Sequence, residues 1–162
     1  MINKVIQEFE KQGKLRKQKA GIIQIEALLK EAIIDLKEAK KISGLAQRAT
    51  YILAYTAMLK AGRALMLLKG YRPADGAQHK TVVEITAVIL GNEFKSLTDH
   101  FETMRRKRNE LTYEAGVLLS KSEAKNAFSH AISLVQKISK EIKSQNPQLE
   151  LKFELEEEGS RK

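Results

Sequence analysis

The chain has 162 residues, 43% of them hydrophobic and 30% charged, which describes one folded domain with a substantial core and not a disordered protein. It contains no cysteine, so disulfides, thiolate catalysis and cysteine-ligated zinc are excluded, and the composition suits a reducing cytoplasm. The formal net charge of +9 favours polyanionic partners, nucleic acid first and an anionic membrane surface second.

The hydrophobic pattern predicts helices along the first half of the chain. Residues 1–19 could form a short N-terminal helix or arm. An unbroken apolar stripe predicts a helix over residues 22–42, which Gly44 would close. A further helix is predicted over residues 45–69, and Gly62 in its middle indicates close contact with another helix, because glycine otherwise weakens a helix interior. The sequence has no run of about 18 uncharged apolar residues, so we predict no membrane-spanning segment and no membrane partner.

The second half begins with a turn-rich loop, predicted over residues 71–76. Helices are predicted next over residues 79–90 and 93–113. A long helix then begins after Ser120 or Ser122, either of which could cap it.

The C-terminal segment, residues 146–162, differs in kind from the rest. From Leu149 to Glu156, apolar and charged residues alternate with the period of a β-strand. No other segment looks like a partner strand, so this acidic tail either stays disordered or pairs with another chain. The expected architecture is therefore all-α, with the main helices over residues 20–145, an extra N-terminal segment and a short strand-like tail.

A cluster of cations interrupts the apolar stripe of the helix over residues 93–113. Apolar side chains recur at spacings of three and four, and Arg108 occupies the next position on that face, after Phe94, Leu97, Phe101 and Met104. Arg105, Arg106 and Lys107 lie beside it in the sequence. An arginine on the buried side of a helix must find an anion, a ring of acceptors or a water-filled groove, because an unpaired buried guanidinium is costly.

Two interpretations of Arg108 remain open at this point. It could bind phosphate or stabilise the charge of a transition state, since its planar fork fits phosphate oxygens. It could instead form a salt bridge to a carboxylate such as Glu84 or Asp99. Asn109 would orient Arg108 or hydrogen-bond a substrate. No histidines have the spacing with carboxylates that would predict a metal site.

Two stretches resemble the signatures of HEPN domains. The run from Tyr55 to Pro73 resembles the central helix and following loop of that family, with a Tyr-x-Ala-Met element, an Arg-Ala-Leu element that begins at Arg63, and a Lys-Gly pair; His79 falls in the corresponding loop region. Arg108-Asn109 followed by Tyr113 resembles the second signature, the Arg-Asn pair that opens the R-x(4–6)-H motif. The resemblance covers about residues 22–143.

The resemblance implies a compact, HEPN-like up-and-down helical bundle of four to five main helices, usually a homodimer, and no cofactor. Many HEPN proteins are metal-independent endoribonucleases, often toxins of toxin–antitoxin or defence modules, in which Arg and His of two protomers meet at the dimer cleft. Others pair with an antitoxin or a minimal nucleotidyltransferase, or have lost catalysis and bind nucleotides or proteins. The sequence therefore predicts a protein that binds or cleaves RNA, with a catalytically inactive module or a partner-binding subunit as the alternatives.

The sequence departs from the family motif at one position. Tyr113 stands where the catalytic His would be, as in a branch of the family with Arg-Asn and Tyr. Since the pKa of a free tyrosine is about 10, it is a poor general base unless nearby cations lower that value. We therefore expect His79 or His100 to replace the missing histidine, with Tyr113 and Asn109 assisting Arg108. The nucleic-acid contacts are assigned to Arg63, Arg105, Arg106 and Lys107.

Overall fold

The computed structural model describes residues 2–74 and 78–149. This part of the chain forms an all-α bundle, as the sequence predicted, with one small two-stranded ribbon that it did not predict. Its elements, in chain order, are α1 (Ile2–Lys11), β1 (Leu15–Lys17), α2 (Ile22–Ile42), α3 (Gln47–Leu68), β2 (Tyr71–Pro73), α4 (Gln78–Leu90), α5 (Lys95–Tyr113) and α6 (Lys121–Gln145), with a 3-10 turn at Asn92–Phe94 before α5.

Helix α3 lies at the centre of the bundle and packs against α2, α4, α5 and α6. Small side chains allow this close packing, because they let neighbouring backbones approach; Ala54, Ala57, Ala61 and Ala64 are fully buried. By length and hydropathy α3 could also cross a membrane, but 61% of the qualifying window is buried inside the bundle. Its apolar character is therefore explained by its place in the core.

Gly62 marks the closest approach of α3 to α4, which confirms the contact predicted from a glycine in a helix interior. A Cβ atom at this position would lie 2.8 Å from both Thr86 Oγ1 and Val82 Cγ1. Only glycine fits that spacing without displacing a neighbour. The tight contact places Arg63 of α3 beside the first turn of α4, which carries His79.

The two strands are a correction to the sequence prediction. The loop expected over residues 71–76 is a strand at Tyr71–Pro73, paired antiparallel with Leu15–Lys17, a segment expected as helix or arm. Hydrogen bonds from Gln18 N to Gly70 O (2.8 Å) and from Ala74 N to Lys14 O (2.9 Å) extend the ribbon. Strands of three residues carry too little periodicity to be recognised, and each satisfies its backbone through a partner distant in the chain.

The structure resolves the choice of cap for α6. The Ser120 hydroxyl accepts a hydrogen bond from Glu123 N at 3.0 Å, while Ser120 N donates to Glu123 Oε1 at 3.2 Å, which is a reciprocal capping box. Beyond this helix Leu149 is buried. The rest of the strand-like pattern, which was predicted from Leu149 to Glu156, lies outside the described residues.

Candidate functional site

Arg108 lies half-buried on α5, one turn beyond the buried side chains of Phe101 and Met104. Its Nε is buried and has no hydrogen-bond partner among the described residues. Its Nη1 donates only a long hydrogen bond, 3.4 Å, to Asn109 Oδ1. Within residues 2–74 and 78–149 no ion pair joins Arg108 to Glu84 or Asp99, the alternative left open by the sequence.

His79 reaches the same region from the first turn of α4. Its Nδ1 lies 3.1 Å from the hydroxyl oxygen of Tyr55, a residue of α3 that is fully buried. The ring of Tyr55 also packs against Phe101 of α5, with 5.9 Å between the ring centroids. Three helices therefore fix the position of this imidazole, and the contact gives the buried phenol the hydrogen-bond partner that it requires.

Electrostatics keep both partners of this contact uncharged near neutral pH. Burial lowers the pKa of His79, and the positive charges of Arg108, Arg63 and Arg105 lower it further. Burial raises the pKa of Tyr55, although Arg105 and Arg108 oppose that rise. A neutral imidazole that donates from Nδ1–H to the phenol oxygen leaves its Nε2 lone pair free to accept a proton. In the other tautomer, Tyr55 donates to Nδ1 and Nε2 carries the proton.

Arg63 and Arg105 complete a group that we call the arginine cluster, defined as Arg63, Arg105 and Arg108. Arg63 resembles Arg108 in having a buried Nε without a partner in the described part of the chain. Arg105 is different, because its Nε and Nη2 donate to the carboxylate of Glu102 at 2.5 and 3.2 Å. This hydrogen bond from Arg105 is the main reason why the pKa of Glu102 is lowered. Within the described residues, the buried guanidinium nitrogens of the arginine cluster that lack a hydrogen-bond partner are therefore Nε of Arg63 and Nε of Arg108.

The remaining predicted nucleic-acid residues lie outside this group. Arg106 is 72% exposed, with its Nε 3.6 Å from Glu102 Oε2. Lys107 donates from Nζ to the carbonyl oxygen of Leu118 at 2.8 Å and lies 3.8 Å from Glu123 Oε2, so it holds the segment before α6 in place. The structure gives Lys107 a structural contact, and its predicted role on RNA remains untested.

Two further predicted residues are also placed apart. Tyr113, at the end of α5, has a side chain that is 78% exposed. The ring of His100 stacks on that of His130 in α6, with centroids 3.5 Å apart and an interplanar angle of 13°. Of the two histidines expected to replace the motif histidine, His79 is the one whose pKa is lowered by burial and by the arginine cluster.

Sequence reasoning missed Tyr55 and Glu102 as members of the site. Tyr55 was recognised only as part of the family pattern. The signal for its role was available, because the hydroxyl of a buried tyrosine needs a hydrogen-bond partner. Glu102 stands three residues before Arg105, the spacing at which side chains on one helix pair. Within the described residues, no group of three or more potential ligands is arranged to hold a metal ion.

Comparison with known proteins agrees with the fold. The family model of the HEPN domain matches residues 25–142, a range that runs from the first turn of α2 into the last turns of α6. No curated protein matches the chain. Arg63, His79 and Arg108 all lie inside the matched range. Since that range spans well over half of the sequence, the chain belongs to the HEPN domain family.

Proposed function

We propose that this HEPN protein binds RNA at the arginine cluster and cleaves the strand beside the bound phosphate, with Arg108 and His79 as the central pair. The observation that carries the proposal is the unpartnered, buried Nε of Arg108 on a helix face that also faces a neutral histidine. Family membership supports a general RNA-binding, nuclease-like or toxin–antitoxin role. The specific role of each residue is our inference.

Phosphate is the ligand that fits the arginine cluster best. A guanidinium presents its N–H groups in a planar fork that matches two phosphate oxygens, and such charge-assisted bonds are roughly twice as strong as neutral ones. The buried donors on Arg63 and Arg108 carry a desolvation cost that an incoming anion would offset. Arg105, held by Glu102, would supply charge at a fixed distance rather than a direct contact.

Cleavage follows from placing a 2′-hydroxyl beside His79. Nε2 of His79 accepts the hydroxyl proton, the 2′-oxygen attacks the adjacent phosphorus, and the bond from phosphorus to the 5′-oxygen breaks. The products are a 2′,3′-cyclic phosphate and a 5′-hydroxyl, with Arg108 stabilising the added negative charge on the phosphoryl oxygens. The leaving oxygen takes its proton from the imidazolium so formed or from water. Tyr55 keeps the imidazole oriented through Nδ1.

A homodimer would bring a further group to this reaction. Tyr113, at the end of α5, and Leu118, in the segment before α6, have large side chains that are 78% and 86% exposed and thus accessible to a partner. A second copy that covers them would protect both and would present Tyr113 near the other subunit's cluster. Light scattering should give twice the chain mass, and Leu118→Glu should give the single mass; a monomeric wild-type protein at micromolar concentration would contradict the dimer.

The second candidate function is RNA or nucleotide binding without cleavage. It is favoured by Tyr113 in the motif position of the family histidine and by Glu102, which already occupies Arg105. A protein partner, such as an antitoxin or a minimal nucleotidyltransferase, would be compatible with either version. We propose a cytoplasmic location for the protein in both cases, since a chain without cysteine suits a reducing compartment.

The test is incubation of the full chain with single-stranded RNA in the presence of a metal chelator. We expect cleavage that leaves cyclic phosphate ends, reduced by about a hundredfold or more in Arg108→Ala and in His79→Ala. Arg48→Ala is the matched control, since Arg48 is exposed on α3 and lies about 22 Å along the helix from Arg63. Undiminished cleavage by His79→Ala would remove the assigned base. Arg108-dependent binding without cleavage would support the second candidate.

A further inference from the structure

A cavity of about 300 Å³ opens beside the arginine cluster and shares Arg63 with it. Its walls are partly apolar, formed by Leu28, Leu67 and Tyr71, and two primary amides, Gln18 and Gln78, also line it. Arg63, which lines the cavity, is also one of the charges that lower the pKa of His79, so the candidate catalytic imidazole lies near the cavity. The volume lies at the lower end of the range for small-molecule sites, about 300–1,000 Å³.

The two-stranded ribbon builds one wall of this cavity. Tyr71 belongs to β2, whose pairing with β1 fixes its backbone. The hydrogen bond from Gln18 N to Gly70 O, at 2.8 Å, holds Gln18 at the continuation of the same ribbon. A larger cavity of about 620 Å³ lies on the α1 side of Tyr71, but it shares no lining residue with the arginine cluster. The smaller cavity is therefore the one connected to the proposed phosphate site.

We infer that this cavity receives one unstacked nucleobase of single-stranded RNA, adjacent to the phosphate held by Arg63 and Arg108. The inference rests on the proposed function and specifies its substrate class. The apolar walls suit the flat face of a base, while each glutamine amide offers both a donor and an acceptor to a base edge. A base within a duplex is stacked and paired, so it cannot enter a cavity in the protein surface.

The charge distribution supports the same arrangement. Arg63 is the residue common to the cavity and the cluster, and its buried Nε has no partner in the described ranges. A nucleotide whose phosphate contacts Arg63 would therefore have its base within reach of the apolar wall. Inorganic phosphate or a ribose phosphate would satisfy the guanidinium but leave the cavity unfilled, so these ligands separate the two contributions.

The experiment measures competition against a fluorescent single-stranded RNA bound to the full chain. We expect nucleoside 5′-monophosphates to compete about tenfold better than ribose 5-phosphate, the contribution of one stacked base. That advantage should fall in the Gln18→Ala and Gln78→Ala double variant, which loses the hydrogen bonds to the base edge but keeps the apolar wall. It should persist in the control Gln145→Ala, because Gln145 is exposed at the end of α6. Single-stranded RNA should also bind at least tenfold more tightly than a duplex of the same sequence.

The outcomes distinguish this inference from the function on which it rests. Equal competition by nucleoside monophosphate and ribose phosphate, with RNA binding still dependent on Arg108, would overturn the base site and leave the proposed function intact. Equal binding of duplex and single strand would overturn it too. RNA binding that does not depend on Arg108 would instead contradict the proposed phosphate site, and with it the base site.

Discussion

Replacing Gly62 by alanine is the sharpest stability test of the contact that supports the site. The added Cβ would lie 2.8 Å from Thr86 Oγ1 and from Val82 Cγ1, well inside the optimal separation of about 3.5–4.0 Å. Both neighbours are β-branched, so their γ atoms cannot rotate away freely. Overpacking of this kind costs about 1–3 kcal/mol, while alanine gains about 1 kcal/mol over glycine in a helix.

Since both obstructing atoms are stiff, we take the upper end of the cost and expect a net loss of about 2 kcal/mol. For a chain of this size, that corresponds to a melting temperature lower by about 4–8 °C, measured by circular dichroism or calorimetry. The control is Gly21→Ala, because nothing lies within 4 Å of a Cβ there and its φ of −78° suits any residue. Gly21 is the N-cap of α2, where glycine is preferred to alanine, so this variant should lose about 1 kcal/mol or less, a smaller loss than that of Gly62→Ala. A Gly62→Ala protein that melts at or above the wild-type temperature would refute the reasoning.

Three further predictions concern titration and capping. Arg108→Gln should raise the pKa of His79 in an NMR titration, because Arg108 is among the charges that lower it. An unchanged pKa would show that the charge of Arg108 does not act on His79. Ser120→Ala should lower the free energy of unfolding in urea by about 1 kcal/mol through loss of the α6 cap, whereas Ser122→Ala should change it little. Burial and its stacked neighbour lower the pKa of His130, so the folded state binds fewer protons than the unfolded state and stability should fall as the pH drops below about 6.5. His130→Gln should make that fall shallower, and an unaltered pH profile would contradict the assignment.

The helices were predictable from the sequence because their apolar residues recur at helical spacing and their ends are recognisable. The helix expected over residues 22–42 is observed at Ile22–Ile42, and the ends of the others differ by only a few residues. Gly62 was also predictable, since a glycine kept inside an otherwise strong helix pattern needs a packing reason. These features depend on local information alone.

The ribbon and the environment of Arg108 were not predictable in the same way. Leu15 pairs with Pro73, and no local pattern reports a partner so distant in the chain. For Arg108 the helical period predicted the buried face, but the choice between a salt bridge and an unpaired guanidinium depended on where Asp99 points. Asp99 pairs with Lys95 on its own helix, at 2.8 Å, which the sequence allowed but did not require.

The partnership of Tyr55 and His79 illustrates the same limit. The sequence places them 24 positions apart on different helices. Their contact follows from the approach of α3 to α4, which only the folded arrangement reveals. Residue types could suggest that a histidine replaces the motif position now held by Tyr113, but they could not choose between His79 and His100. We favour His79 because the positive charges of the arginine cluster act on its imidazole.

The central claim is that Arg108 contacts a phosphate of RNA, and the salt dependence of binding tests it most directly. The affinity of a short single-stranded RNA, measured by anisotropy over a series of salt concentrations, gives a slope of about 0.7 per phosphate neutralised. We predict that Arg108→Ala weakens binding and lowers that slope by about 0.7, while Arg48→Ala changes neither. Identical slopes for the wild type and Arg108→Ala would contradict the account.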